Sequence, residues 1–136
     1  MNEENSAKLR TRFPQFYGEG NGFTGRGVLF ECRDGWFNLL WKLSEDIEHT
    51  LKEHPGSGCN VVQVKQKFGS LRYYCSAPRD VQDLIDDAAR VSEETCEECG
   101  RAATLQTIKD RVAPYCDACY QKKTQQHTCV PKRGLT

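Results

Sequence analysis

Cys96, Cys99, Cys116 and Cys119 form two Cys-x-x-Cys pairs separated by sixteen residues. Two thiolates three positions apart can grip one ion from a tight turn, and two such turns close a tetrahedron at about 2.3 Å per Zn–S bond. A soft, all-thiolate donor set points to Zn2+. Four protein thiolates leave no open coordination position, so the ion is expected to hold structure and not to activate water. Gly100 follows the second ligand, where such a knuckle turns through positive φ. The competing reading is dithiol redox chemistry, and no βαβ pattern surrounds either pair to support it. The remaining cysteines, Cys32, Cys59, Cys75 and Cys129, match no second site and are expected as free thiols. His127-Thr128-Cys129 offers a substitute ligand, against which stands its place in a frayed tail.

Other catalytic chemistry finds little support. His-Asn-His nucleases pair cysteines around a hairpin that carries a catalytic His, and no His lies between Cys99 and Cys116. Asp46 and His49 have the i,i+3 spacing of metal ligands, but one copy falls short of a di-metal set. No Ser/His/Asp or Cys/His order stands out. The expectation is a protein that is not an enzyme.

The elements that would position the cysteines follow from pattern. Thr104–Ile108 alternates polar and apolar, and Val112–Tyr115 can pair back across Lys109-Asp110, with a helix beginning near Cys116. Knuckle, hairpin, second pair and helix resemble a treble-clef zinc finger, with a zinc ribbon as the alternative. Upstream, within residues 1–35, the stretch bearing Gly18, Gly20, Gly22, Gly25 and Gly27 reads as a mobile loop that lacks a phosphate-loop ending, with a short strand at Val28–Cys32. Asp34 is expected to cap a helix bearing Trp36, Leu40, Leu43, Ile47 and Leu51, stopped by Pro55-Gly56. Trp36, Phe37 and Trp41 are expected in the core, and Glu45, Asp46, Glu48 and Glu53 in water. A hairpin turning at Gly69-Ser70 should put Val62, Val64, Gln66 and Phe68 on one side. Its outer side should gather Lys65, Lys67, Arg72 and Tyr74 with no acid nearby.

Asp80 is expected to cap a second helix with Val81, Leu84, Ile85, Ala88 and Val91 on one face. From Asp80 to Glu98 eight acids face one Arg, whereas Arg101 to Lys123 holds five basic residues and two acids. The whole chain carries 19 Lys+Arg and 19 Asp+Glu, so zero net charge conceals separate acidic and basic surfaces and excludes a whole-chain basic coat. With 38% hydrophobic and 10% aromatic residues the chain is too apolar for disorder. No apolar run approaches the ~20 residues of a membrane span. Met1–Asn5 has no signal pattern, so the expected location is the cytoplasm, where clustered cysteines serve metals. The expected fold is α+β: a helix packed on a small antiparallel sheet, then an acidic helix and a four-cysteine, treble-clef-like finger. Its units are 1–79 (helix plus hairpin), 80–127 (acidic helix and finger) and a flexible tail over 128–136.

Asp34-Gly35-Trp36-Phe37, the stretch Lys65-Gln66-Lys67-Phe68-Gly69-Ser70-Leu71-Arg72-Tyr73-Tyr74 and the C-terminal cysteine pairs resemble a group of small phage and prophage proteins. The resemblance spans roughly residues 13–120 and implies a bacterial host cytoplasm as the setting. It implies an accessory role, binding a host protein or nucleoprotein complex as an anti-defence inhibitor, for example an anti-CRISPR. In that reading Asp83, Asp86 and Asp87 on the acidic helix mimic a phosphate track and occupy a basic channel. The alternative is a nucleic-acid-binding zinc-finger module, in which Lys65, Lys67, Arg72 and Tyr74 supply cations and a stackable ring.

Overall fold

In the computed structural model, residues 1–128 are described at the backbone level and residues 1–125 at the side-chain level. The cysteine at 129 and the tail expected beyond Thr128 lie outside the described residues, as does the His127 side chain.

The first 35 residues hold more structure than the glycine pattern foretells. Asn2 caps α1 (Glu3–Arg12), its side chain accepting the Asn5 N–H at 2.8 Å, with Glu3 and Glu4 in the first turn. A short α2 (Pro14–Tyr17) starts on proline, which presets φ for the first helical turn. The loop that follows is tied down, with Gly20 N–H donating to Gly25 O at 2.8 Å and Gly22 N–H to Val61 O at 2.9 Å. Strand β1 is only Phe30–Glu31.

Asp34 does not cap the next helix. Residues Asp34–Trp36 form a 3-10 turn, and the Asp34 carboxylate accepts Asn2 N–H at 2.8 Å and Asn5 Nδ2 at 3.1 Å, pinning α1. Helix α3 (Phe37–Leu51) then buries Leu40, Leu43 and Ile47 together with Trp36, as the four-three spacing requires. Phe37 and Trp41 pack against this core. Glu48 departs from the solvent-facing set: Arg12 grips it through two bonds of 3.1 and 2.9 Å, and Gln15 adds one of 3.0 Å.

Strands β2 (Asn60–Lys67) and β3 (Ser70–Ser76) pair antiparallel, and β1 adds to β2 in parallel, giving the order β1-β2-β3. The sheet is therefore mixed and three-stranded, not a lone hairpin. A register shift between Val61 and Gln63 buries both Val61 and Val64, so the expected alternation breaks. Val62 is half-buried, and Phe68, expected inward, is 71% exposed. The turn is Phe68-Gly69, both at positive φ, with Ser70 already in β3. Glu31 lies beside Lys65 in the register, which corrects the expectation of an acid-free outer face.

Helix α4 (Arg79–Ser92) begins after Pro78 without a side-chain cap; Asp80 instead meets His54 Nε2 at 3.1 Å. It buries Val81, Ile85 and Ala88, while Val91 is 52% exposed. At the centre, Ser44 Oγ donates to Leu40 O at 2.7 Å, so the Tyr17 hydroxyl donates to Ser44 Oγ at 2.6 Å and accepts from Tyr73 at 2.9 Å. Burial pushes the Tyr17 phenol up.

Strands β4 (Thr104–Ile108) and β5 (Arg111–Tyr115) form the second hairpin across Lys109-Asp110, both at positive φ, and α5 (Asp117–Thr128) follows. Among the described residues, the core of this part is a small cluster of Ile108, Ala113 and Tyr115, with Cys119 and Tyr120 against it. It docks tightly on the rest. A Cβ on Gly35 would meet Cys96 O at 2.2 Å and Glu97 C at 2.5 Å. Gly35→Ala is accordingly expected to lose about 2 kcal/mol or more, read by urea denaturation, because the obstacle is backbone. Unchanged stability would show that this close approach is not maintained.

Candidate metal centre

Cys96 and Cys99 sit on the knuckle between α4 and β4. Cys96 N–H donates to Arg101 O at 2.7 Å and Gly100 N–H to Cys96 O at 2.9 Å, with Gly100 at φ 86° as the turn requires. Cys116 ends the second hairpin, and Cys119 lies in the first turn of α5. The four Sγ atoms lie within 4.8 Å of one another, with Cys99 and Cys116 at 3.6 Å. A tetrahedron with 2.3 Å bonds has edges of about 3.8 Å, so the thiols stand at the separations one ion demands. Among the described residues this is the only group of three or more His, Cys, Asp or Glu side chains whose ligand atoms converge so. The set can hold a metal ion.

The surroundings draw Cys116 toward thiolate and hold two of its neighbours as thiols. Cys119 N–H donates to Cys116 Sγ at 3.4 Å, and this bond to the helix amide draws the Cys116 thiol down to about 7. Desolvation pushes Cys99 and Cys119 up. A metal binding here must displace those protons.

Glu97, between the first two cysteines, is the residue that sequence reasoning missed. It is fully buried. Its carboxylate accepts Arg33 N–H at 3.1 Å, Arg111 Nη2 at 3.0 and 3.3 Å, and Gln66 Nε2 at 3.4 Å. Its own N–H donates to Pro114 O at 2.9 Å, and its carbonyl accepts Gly35 N–H at 2.7 Å. Trp36 Nε1 donates to Thr95 O at 2.9 Å beside it. Glu98, half-buried, meets Arg33 Nε and Lys123 Nζ through Oε2, each at 3.0 Å. The knuckle that presents the thiols is therefore fastened to the β2 strand, the 3-10 turn and the second hairpin through one carboxylate. Nothing in the pattern Cys-Glu-Glu-Cys separates Glu97 from Glu98; only the positions of Gln66, Arg33 and Arg111 do.

The other candidates lie apart from the thiols. Asp83, Asp86 and Asp87 are exposed on α4, with Asp83 paired to Arg79 at 3.3 Å and Asp87 paired to Arg90. Asp46 accepts Lys42 at 3.0 Å, so the Asp46/His49 spacing assembles no ligand set. Lys65, Lys67, Arg72 and Tyr74 lie on the outer side of the sheet, with Lys65 opposite Arg72 and Gln63 opposite Tyr74. Neither Lys65 nor Arg72 forms an ion pair among the described residues, and Arg72 Nε is buried without a hydrogen-bond partner there. Cys32 and Cys59 are buried and Cys75 half-buried, all as free thiols. Burial pushes the Cys32 thiol up to about 12. No helix is long and apolar enough to cross a membrane among the described residues. No protein-family model, curated protein or solved structure matches the chain.

Cys99→Ser is expected to cut bound metal well below one ion per chain, measured by elemental analysis of purified protein, and to lower the melting temperature. Full metal content in that variant would remove Cys99 from the ligand set. Glu97→Ala should cost about 3 kcal/mol, the lower end for a broken buried pair, because Arg111 is 40% exposed and water can reach it. Denaturant unfolding of Glu97→Ala beside Glu97→Gln reads this, with the amide recovering part of the loss.

Proposed function

We propose that the chain is a non-enzymatic nucleic-acid-binding protein whose C-terminal part is a treble-clef finger stapled by one structural Zn2+. The order knuckle, hairpin and helix, with ligands from the knuckle and from the hairpin end and helix start, supports the treble clef. The all-thiolate set supports zinc in a holding role. A core of three buried residues is too small to keep such a unit folded unaided, so the ion supplies the rest.

The binding reading is carried by one observation: Lys65 and Arg72 stand directly opposite each other on the outer sheet face and neither forms an ion pair among the described residues, the neighbouring Glu31 carboxylate accepting Gln63 Nε2 at 3.0 Å. Like charges in that position destabilise a sheet. An anionic ligand reverses the sign of that interaction, and Tyr74 on the same face adds a ring. Of the acids of α4, by contrast, Asp80, Asp83 and Asp87 are already paired to His54, Arg79 and Arg90.

A second reading, a phage accessory protein that inhibits a host protein complex in the bacterial cytoplasm, draws on a different surface. Between α3 and α4 an apolar groove of about 290 Å³, lined by Leu39, Leu43, Leu84 and Val91, is flanked by Asp46 and Asp87. Affinity capture from bacterial lysate, with and without nuclease, separates the two readings. Nuclease-sensitive capture that Lys65→Glu plus Arg72→Glu abolishes is expected. A nuclease-resistant protein partner, lost on reversing Asp83, Asp86 and Asp87, would overturn the first reading in favour of the second.

A further inference from the structure

Three exposed rings share the outer side of the sheet. Tyr74 (46% exposed) lies across from Gln63. Phe23 (75% exposed) lines a shallow cavity of about 90 Å³ with Leu29, Glu31, Val62 and Gln63, so it stands at the same end of the sheet. Phe68 (71% exposed) marks the other end, at the tip of the β2–β3 turn. Between them sit Lys65 and Arg72, and Lys67 holds its ammonium 5.5 Å from the centre of the Phe68 ring. From Gln63 to Phe68 is about 17 Å at the ~3.3 Å rise of a strand.

Phe68 is doubly unfavourable where it stands. Its φ of 54° is a left-handed conformation that bulky side chains rarely take, and its ring is left in water. Asn or Gly would hold the same turn with less strain. Folding alone does not call for a phenylalanine here, whereas a stacking contact does.

Resting on the nucleic-acid reading above, we infer that this face binds a single strand, its bases stacked on Tyr74 and Phe68 with Phe23 extending the platform, and its phosphates on Lys65, Arg72 and Lys67. Unstacked bases offer faces to such rings, whereas a duplex offers only base edges within its grooves. A β-ribbon can enter a major groove, but this one is not free to do so. β1 flanks it on one side, and the second hairpin crowds its tip, where a Cβ on Gly69 would meet Leu105 Cδ2 at 2.5 Å and Val112 Cγ1 at 3.2 Å. With three cations, the logarithm of affinity should fall against the logarithm of salt with a slope of about −2, the value for three single-strand phosphates.

The test uses the full, metal-loaded chain and fluorescence anisotropy with fluorescein-labelled oligo-dT and oligo-U of about twelve nucleotides, beside a labelled duplex of the same length. Expected are single-strand binding about tenfold tighter than duplex binding, a salt slope of about −2, and a loss of about 0.7 in slope for Lys65→Gln or Arg72→Gln. Tyr74→Leu and Phe68→Asn should each weaken single-strand binding about fivefold or more. Phe68→Asn suits the turn, so its melting temperature should hold or rise while binding falls, which separates stacking from folding. Equal affinity for duplex, or ring variants that bind like the parent, would overturn the single-strand inference and leave the nucleic-acid reading standing. Failure to bind either probe would overturn both.

Discussion

A single buried carboxylate holds the parts of this protein together. Glu97 has no access to water, and an unpaired carboxylate there would cost several kcal/mol, so the fold exists only with its donors in place. Those donors come from Arg33, Gln66 and Arg111, which belong to three separate stretches of chain. Satisfying one side chain thus sets the relative position of the 3-10 turn, the middle strand of the sheet and the second hairpin. Because Glu97 lies inside the first Cys-x-x-Cys pair, the same constraint orients two of the four thiols. Metal geometry and tertiary packing are in this sense one problem, solved at adjacent residues.

The helical core follows from this arrangement. Trp36 is fully buried and donates to Thr95 O, so the turn that precedes α3 is anchored to the knuckle while α3 itself is packed by Leu40, Leu43 and Ile47. The hydrogen-bonded relay from Tyr73 through Tyr17 to Ser44 then joins β3, α2 and α3 without leaving a buried hydroxyl unpaired. The side of the sheet turned away from these helices is where Lys65, Lys67 and Arg72 collect with the exposed rings, beside a single acid, Glu31, among the described residues.

What could be read in advance depended on how local the determining physics is. The four-cysteine cluster was legible because Cys-x-x-Cys spacing is a property of a few consecutive residues. Helix α3 and the Lys109-Asp110 turn were legible because their patterns repeat over short stretches. Helix α1 escaped, since of its ten residues only Ser6 and Leu9 are buried and no apolar period marks it; the Asn2 cap with Glu3 and Glu4 was its one local sign. Strand β1 escaped because two residues in a parallel pair have no period to show. Phe68 is exposed because it sits in the turn at positive φ, past the end of β2. The register shift near Val62 put Val61 in the core with Val64, and no residue nearby announces it. Glu97 was invisible for the same reason at longer range, its partners lying up to 64 positions away.

That separation has a consequence in time. At synthesis rates of roughly 5–20 residues per second, Arg33 is made roughly 3–13 s before Glu97 arrives to accept its amide. In the later part of that interval, once α3, β2 and β3 have been made, Gln66 and the turn around Gly35 wait without their acceptor. The nascent chain must therefore pass through a partly assembled stage whose duration is set by the ribosome and not by the chain's own folding rate.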